Sequence, residues 1–270
     1  MKKMKKEIIL LGIVIISFIG VFPSIGQAWP PNLPNGQTLI LVHGRGDSKG
    51  SMNTIQDWAD PNVSPTYPVI TWEKIYNVEY YGDKPDHPSE FNNVIQGNPG
   101  TDGSTIEQFA AAFYTWILGE IFGEQLTKEI YFICHSMGGL IIRYMVKTYM
   151  DYYGASIKGV ATIGTPNHGS LTALFWSLAF PWDTSLGQCN GAFIEKINKN
   201  DETPNNAKWY TYAGDKLWSW LDWKWFDGVV TPFSSSLSGA QVNRVYSLDH
   251  TQLRQNWGVY TQIVYDFRYN

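Results

Sequence analysis

Residues 129–139 have the sequence EIYFICHSMGG, and this stretch decides the fold. Its first six residues are mostly apolar and branched or aromatic, which predicts a short buried strand. Small and polar residues follow and predict a turn, after which residues 140–153 carry apolar side chains at helical spacing. A strand, a tight turn and a helix in this order place Ser136 at the turn, where a serine can act as an exposed nucleophile.

The turn departs from the usual pattern in one position. Nucleophile turns of this type commonly have glycine two residues before the serine, and this chain has Cys134 there. Cysteine is small, so the turn can still close. The alternative interpretation is an apolar strand that ends in a polar turn with a serine by chance. The strand–turn–helix context and the additional Gly139 favour a nucleophile.

Further strands and helices alternate along the chain. Apolar, branched runs predict strands at residues 37–42, 74–80, 129–134, 157–163, 208–213 and 241–248. Helices are predicted at residues 109–122, 140–153 and from about residue 255, and Ser104 with Glu107 has capping-box spacing before the first of them. This alternation predicts an α/β fold with a mostly parallel central sheet and helices on both faces.

The N-terminal region predicts export. Four lysines precede an apolar run of 15 residues, 8–22, and small residues follow as far as Ala28. This order is typical of a secretory signal peptide cleaved after Ala28. An uncleaved membrane anchor is the alternative, but the run is shorter than the roughly 20 residues that a spanning helix needs. We therefore expect a signal peptide at residues 1–28 and a single secreted catalytic domain at residues 29–270.

Charge and cysteine content exclude several classes of function. Cleavage would remove four lysines and one glutamate and change the formal charge from −4 to −7, which does not suit a nucleic-acid binder. Neither metal-ligand spacing nor a phosphate-binding glycine loop is present, so we expect no metal and no cofactor. A disulfide between Cys134 and Cys189 is not expected, since Cys134 ends a buried strand.

Aromatic residues are abundant and form two clusters. One cluster lies in residues 174–182 and includes Trp176, and the other lies in residues 218–226. Core packing is one explanation. Four tryptophans within eight residues, with charged residues between them, favour an exposed apolar patch or lid. The expected substrate rim comprises Trp176, Trp218, Trp220 and Trp223.

A serine nucleophile needs a general base and an orienting carboxylate. In this fold type the order along the chain is serine, acid, histidine. Of the five histidines, His250 alone follows the last predicted strand, and we expect it to be the base, with His168 as the fallback. Asp215 directly follows a predicted strand and is one candidate acid, and Asp227 is another.

Two further aspartates are weaker candidates for the acid. Asp249 is too close to His250 in sequence to reach around and orient the imidazole. Asp222 lies among the tryptophans and belongs to no motif.

Four separated segments make the chain resemble secreted bacterial lipases of the α/β-hydrolase superfamily. They are LVHGRG at 41–46, CHSMGG at 134–139, IGTPNHGS at 163–170, and DGVV at 227–230 followed by the Asp249-His250 pair. The resemblance implies that Asp227 is the acid rather than Asp215. It also implies that the segment containing His168 is structural.

Ester hydrolysis develops negative charge on the carbonyl oxygen, which fixed N–H groups stabilise. One donor is expected to be the backbone N–H of Met137, the residue after the nucleophile. The resemblance implies that Arg45 gives the second backbone donor, and its side chain is expected to contact substrate or an acid such as Asp47. An alternative for His43 and Gly44 is a plain turn.

The expected function is hydrolysis of carboxylic esters of lipids through an acyl-enzyme. The expected partner is a lipid or another water-insoluble ester, with transient contact at a lipid interface and a monomeric protein. One alternative is an extracellular polyester (polyhydroxyalkanoate) depolymerase. A second alternative is a non-catalytic protein that binds lipid or glycan on the same fold, although a binder would have no need of a base and an acid in order.

Overall fold

A parallel six-stranded sheet forms the centre of the structure, which is a computed structural model. The structure describes residues 37–63, 72–81, 104–122, 129–150, 156–179, 183–219 and 224–270, and these belong to one compact unit, Asn32–Asn270. Across the sheet the strands follow the order β2-β1-β3-β4-β5-β8. Their bounds are β1 Gln37–Val42, β2 Lys74–Val78, β3 Glu129–His135, β4 Ile157–Ile163, β5 Lys208–Gly214 and β8 Val242–Tyr246. A separate antiparallel pair consists of β6 Leu217–Ser219 and β7 Lys224–Phe226.

Helices connect these strands. Their bounds are α1 Asn53–Ala59, α2 Ile106–Trp116, α3 Met137–Tyr149, α4 Leu171–Ala179, α5 Thr184–Gln188, α6 Gly191–Asn198, α7 Pro232–Ser235, α8 His250–Arg254 and α9 Trp257–Tyr269. A 3₁₀ turn at Lys49–Met52 precedes α1, and a π-helical turn at Ile117–Phe122 extends α2.

The strands bury both faces, because alternate side chains enter two different cores. On one side Ile40 and Phe132 pack with α2, α3 and α6. On the other side Leu39 and Ile133 pack with α1 and α9. A parallel sheet covered on both faces by helices confirms the predicted fold class.

A buried ion pair attaches α9 to the sheet. The Asp266 carboxylate is fully buried and accepts hydrogen bonds from Arg244 Nε at 2.7 Å and Arg244 Nη2 at 2.6 Å. The Tyr212 hydroxyl donates to the same carboxylate at 2.7 Å. These bonds join the last helix to β5 and β8, so the carboxyl ends of both strands have fixed positions.

The strand order contains a reversal that locates the site. The chain passes from β1 outward to β2 and then crosses back to β3 on the other side of β1. In open parallel sheets, ligands bind at the carboxyl ends of strands where the order reverses. Since Val42 pairs with Cys134 in the register of β1 and β3, the loops that begin at His43 and Ser136 leave the sheet side by side.

Several details differ from the sequence predictions. The capping box before α2 was predicted one residue too early, since Thr105 and Gln108 form it rather than Ser104 and Glu107. Tryptophan-rich residues 217–219 and 224–226 form a β-ladder. Of the α-helices in the described residues, α2, α3 and α9 were predicted. The other six, α1 and α4 to α8, were not, because four to nine residues are too few for a clear hydrophobic period.

Some predictions fall outside the described residues. The proposed signal peptide at residues 1–28 is one of them. Over the part of the chain that the structure describes, no helix is both long and apolar enough to cross a membrane.

Gly138 should not tolerate a side chain. A Cβ atom there would lie 2.4 Å from the backbone oxygen of His43, so α3 could not approach the end of β1 as closely. We expect Gly138→Ala to lower the free energy of unfolding by about 2 kcal/mol, measured by denaturant unfolding. Gly187→Ala in α5 is the control, because its Cβ would meet no atom within 4 Å, and it should be neutral or stabilising. Equal effects of the two changes would contradict this packing argument.

Candidate active site

Ser136 lies at the turn between β3 and α3 in a strained backbone conformation. Its φ of 53° and ψ of −128° are rare for a residue with a side chain, and such strain costs about 1–3 kcal/mol. Three hydrogen bonds hold it. The Ser136 N–H donates to Ile163 O at 2.8 Å, while Ser136 O accepts from Gly139 N at 3.0 Å and from Thr165 Oγ1 at 2.9 Å. The side chain is partly exposed, as a nucleophile at a sheet edge needs.

The two predicted oxyanion residues lie on either side of this turn. Met137 is the first residue of α3, where the backbone N–H groups of a helix have no intrahelical acceptor. Arg45 follows Gly44, and a Cβ added to Gly44 would lie 3.0 Å from the Ser136 Cβ. The loop after β1 therefore contacts the serine directly, and the absence of a side chain at Gly44 permits this approach.

His250 is the first residue of α8 and is bound to Asp227 at two points. Its Nδ1 lies 2.7 Å from Asp227 Oδ2, and its backbone N–H donates to Asp227 O at 2.8 Å. The Asp227 side chain is 1% exposed and that of His250 is 16% exposed. A carboxylate on Nδ1 leaves Nε2 as the nitrogen that can exchange a proton.

The second carboxylate oxygen of Asp227 fixes the acid's own turn. Oδ1 accepts from the backbone N–H groups of Val229 at 2.8 Å and Val230 at 2.7 Å. Gly228 in this turn has a φ of 108°, which a residue with a side chain rarely adopts. One carboxylate oxygen of Asp227 thus binds the backbone of its own turn, and the other faces His250 Nδ1.

Gly164 connects the acid–base pair to the serine. A Cβ on Gly164 would lie 2.9 Å from His250 Nδ1 and 3.0 Å from Asp227 Oδ2, so the pair packs on this glycine. The preceding residue, Ile163, accepts the hydrogen bond from Ser136 N–H. The end of β4 therefore brings Ser136, His250 and Asp227 into one cluster.

The alternative acids and the alternative base have other contacts. The Asp215 backbone N–H donates to Tyr246 O at 3.0 Å. Asp249 caps α8, where its Oδ1 accepts from Gln252 N at 2.9 Å, and this hydrogen bond lowers the pKa of Asp249. His168 Nε2 lies 3.1 Å from Glu202 Oε1. Asp222 lies outside the described residues.

The Arg45 side chain has a different partner from the one suggested from sequence. Its Nε donates to Asp183 Oδ2 at 2.5 Å, and Asp183 is 1% exposed. Asp183 is also the N-cap of α5, where Oδ1 accepts from Leu186 N at 3.0 Å. Asp47 instead pairs with Arg254. No sequence motif indicated Asp183, because 138 residues separate it from Arg45.

A fully buried pair of side chains, His43 and Glu79, lies behind the loop after β1. His43 Nε2 is 3.0 Å from Glu79 Oε1, and His43 Nδ1 is 2.8 Å from Gly44 O. Both ring nitrogens of His43 therefore face oxygen atoms, and Glu79 also accepts from the backbone N–H groups of Lys49 and Tyr81. Burial alone would raise the pKa of Glu79, but the His43 contact and the backbone donors more than offset it and hold that pKa below 4.5.

The predicted tryptophan rim is only partly located. Trp176 lies in α4 and Trp218 in β6, but their side chains are outside the described part of the structure, as are Trp220 and Trp223 entirely. Cys134 and Cys189 are both buried free thiols. Burial raises the pKa of Cys189 to about 12. Among the described residues no group of three or more His, Cys, Asp and Glu side chains could hold a metal ion.

The strand order and the serine at its reversal point define the class of this protein, which is the α/β-hydrolase fold. Residues 39–198 match the family model described as "Putative serine esterase (DUF676)", and this is more than half of the 270 residues. The chain belongs to that family. No curated protein sequence matches it.

Solved structures of low sequence identity share the fold. The mature lipase BlEst2 of Bacillus licheniformis superposes with a TM-score of 0.59 at 17% identity, over 88% of this chain and 96% of the lipase. A metagenomic carboxyl esterase, MGS0156, gives 0.58 at 14% identity, over 90% and 78%. Phospholipase PlaB of Legionella pneumophila gives 0.54 at 16% identity, over 74% of this chain, which corresponds to 45% of that protein's length.

The His43–Glu79 pair should stabilise the fold strongly. We expect Glu79→Gln to lower the free energy of unfolding at pH 7 by about 2 kcal/mol, because a neutral amide accepts weaker hydrogen bonds than the buried carboxylate does. The depressed pKa of Glu79 makes this contribution present above pH 4.5 and lost as the pH falls through the lower folded-state value. Urea unfolding from pH 7 to pH 3 measures it, and the gap between variant and wild type should narrow below pH 4.5.

Lys196→Gln is the control for this measurement. Lys196 pairs with Glu107 at 3.5 Å on the surface, so its loss should cost less than about 1 kcal/mol. A gap for Glu79→Gln that stays constant down to pH 3 would contradict a buried, ionised Glu79 with a lowered pKa.

Proposed function

We propose that this protein is a secreted serine hydrolase that cleaves carboxylic esters of lipids, a lipase or carboxylesterase, with Ser136, His250 and Asp227 as its catalytic residues. The contact that carries the proposal is the buried Asp227 carboxylate on His250 Nδ1, packed on Gly164 beside the strained turn of Ser136. Membership of a serine esterase family supports the reaction class.

The proposed reaction uses each contact of the site. His250 Nε2 accepts the proton of the Ser136 hydroxyl as the oxygen attacks the ester carbonyl, and Asp227 stabilises the imidazolium that forms. The backbone N–H groups of Met137 and Arg45 stabilise the carbonyl oxygen as it becomes negative. His250 then donates the proton to the leaving alcohol. Water, activated by the same histidine, releases the acid from the acyl-enzyme.

An exposed apolar stripe on α4 supports an apolar acyl group as the substrate. Leu171, Leu174, Phe175 and Leu178 recur at helical spacing and are between 42% and 73% exposed. No charged residue interrupts α4. An apolar helix face in water favours contact with acyl chains or a lipid interface. The structural neighbours include a lipase and a phospholipase, and our proposal extends that substrate class to this chain.

Hydrogen bonds of residues that precede and follow α4 support a position of this helix beside the proposed site. Ser170, immediately before α4, donates from Oγ to Val229 O at 2.7 Å in the acid's turn. Asp183, which follows α4 and begins α5, accepts from Arg45 beside the nucleophile. We further propose export through residues 1–28, a monomeric state and transient contact with a lipid interface. The lysine-rich start and the apolar run of the sequence support the export proposal.

A polyester depolymerase is the second candidate on the same fold, because an apolar helix face would also adsorb to a polymer. A clear zone on polyhydroxybutyrate medium, with no clear zone on tributyrin medium, would support the depolymerase. A non-catalytic binder of lipid or glycan is the third candidate. The two contacts between Asp227 and His250, one through the carboxylate and one through the backbone, count against it.

Ser136 should be the covalent centre. We expect a fluorophosphonate probe to label the wild-type protein and to leave Ser136→Ala unlabelled, because the probe reacts with an activated serine oxygen. Mass spectrometry of the labelled peptide identifies the site. Labelling of Ser136→Ala at wild-type intensity would overturn the proposal.

The acid is tested by two matched variants in an ester hydrolysis assay. Asp227→Asn should lower kcat on p-nitrophenyl butyrate by about 10³-fold or more, since the imidazole loses its orienting charge. Asp215→Asn, which removes the neighbouring carboxylate, should change kcat by less than about threefold. The reverse order of effects would assign the acid to Asp215.

The stripe on α4 should govern activity on insoluble esters. We expect Phe175→Ser with Leu178→Ser to lower the rate on emulsified long-chain esters by about tenfold or more, because two large apolar side chains no longer contact the acyl phase. The rate on soluble p-nitrophenyl acetate should not change. Tyr265→Ser with Tyr269→Ser on α9 removes similarly exposed aromatic surface elsewhere and is the control. Equal losses on both substrates would refute this role.

A further inference from the structure

His135, directly before the nucleophile, contacts the base rather than the substrate. It is 2% exposed, and its ring centroid lies 4.6 Å from that of His250. His135 Nε2 is 3.0 Å from the backbone oxygen of His250. A carbonyl oxygen only accepts, so Nε2 carries the proton and Nδ1 presents a lone pair in the neutral ring. Burial, and then the nearby charges of His250 and Arg254, lower the pKa of His135, which keeps the ring neutral.

Arg254 lies on the other side of His135. Its Nη1 is 3.4 Å from His135 Nδ1, and the same nitrogen donates to the carboxylate of Asp47 in the loop after β1. Arg254 is 9% exposed, so its charge lies within the protein. A chain of contacts therefore runs from Asp47 through Arg254 and His135 to the backbone of His250.

We propose that Asp47, Arg254 and His135 are positioning residues. They fix the loop after β1, which carries the proposed oxyanion donor, relative to His250, and they set the pH at which His250 becomes available as a base. This inference rests on the proposed role of His250. The chain joins three segments that are distant in sequence: the loop after β1, the turn after β3 and helix α8. Each of them carries a group of the proposed reaction.

The charge balance around His250 makes the proposal testable. Asp227 faces Nδ1, His135 packs against the ring, and Arg254 lies one helical turn further along α8 with Asp47 as its counterion. Asp249 and Lys216 form their own pair at the start of α8, 3.2 Å apart. The Arg254–Asp47 pair is neutral as a unit. Removal of either member leaves a single charge near the base, of opposite sign in the two cases.

The two single variants should shift the titration of His250 in opposite directions. Asp47→Asn leaves Arg254 without its counterion, which disfavours the imidazolium, so half-protonation of His250 should move to lower pH by about one unit. Arg254→Gln leaves Asp47 unpaired, so half-protonation of His250 should move to higher pH. This shift should be smaller than that of Asp47→Asn, since Asp47 is the more exposed member of the pair. The double variant should lie near wild type. Histidine ¹⁵N NMR measures the titration directly, with His250→Asn for assignment.

Ester hydrolysis gives the second readout. The acidic limb of the kcat/KM profile should follow the same shifts, and kcat should fall about tenfold in either single variant with little change in KM. His135→Gln keeps a donor for His250 O and an acceptor for Arg254 and should retain most of the activity, whereas His135→Leu should lose it. A loss of fold alone would move both single variants in the same direction and would not be rescued by glutamine.

The outcomes separate this inference from the proposed function. Active wild type with unshifted His250 titrations in both single variants would overturn the positioning network and leave the hydrolase standing. Opposite shifts by NMR in a protein with no activity on any ester would support the network and overturn the proposed function.

Discussion

The positive φ of Ser136 is the constraint on which the site depends. An L residue adopts this conformation only when its surroundings fix it, and here the ends of three strands do so. The Ser136 N–H bonds to the last residue of β4, the Ser136 carbonyl accepts from Thr165, and Gly138 lets α3 lie directly against the end of β1. The strain is thus maintained by the sheet, and the serine side chain lies above its edge.

The contact between Asp227 and His250 lies at the same edge of the sheet as Ser136. The pair Asp227 and His250 packs on Gly164, the residue after the strand whose last carbonyl holds Ser136. The turn of Asp227 is closed by its own carboxylate, and Ser170 Oγ adds a hydrogen bond to Val229 O. The end of β4 therefore contacts the serine, the base and the acid.

The sequence predicted the elements of the sheet well, because buried parallel strands are continuous apolar runs that are easily recognised. It also predicted the residues of the site that lie in turns with a fixed sequence pattern, such as Ser136 and the Asp-Gly-Val-Val turn. Asp183, Glu79 and Arg254 were missed. Their partners lie 36 to 207 residues away along the chain, and only the folded sheet brings them together. Arg254 had one local signal, its position one helical turn after His250.

These three missed residues hold the loop after β1, which carries the proposed oxyanion donor at Arg45. After β1 the polar residues His43, Arg45 and Asp47 alternate with Gly44 and Gly46. Their partners lie on three different elements: Glu79 after β2, Asp183 at the start of α5 and Arg254 in α8. In the proposed reaction, contacts from three directions hold the N–H donors of this loop in place as negative charge develops on the carbonyl oxygen, so little reorganisation is needed. Gly44 lets the backbone approach Ser136. The contacts of His43, Arg45 and Asp47 restrict the freedom that the two glycines would otherwise give the loop.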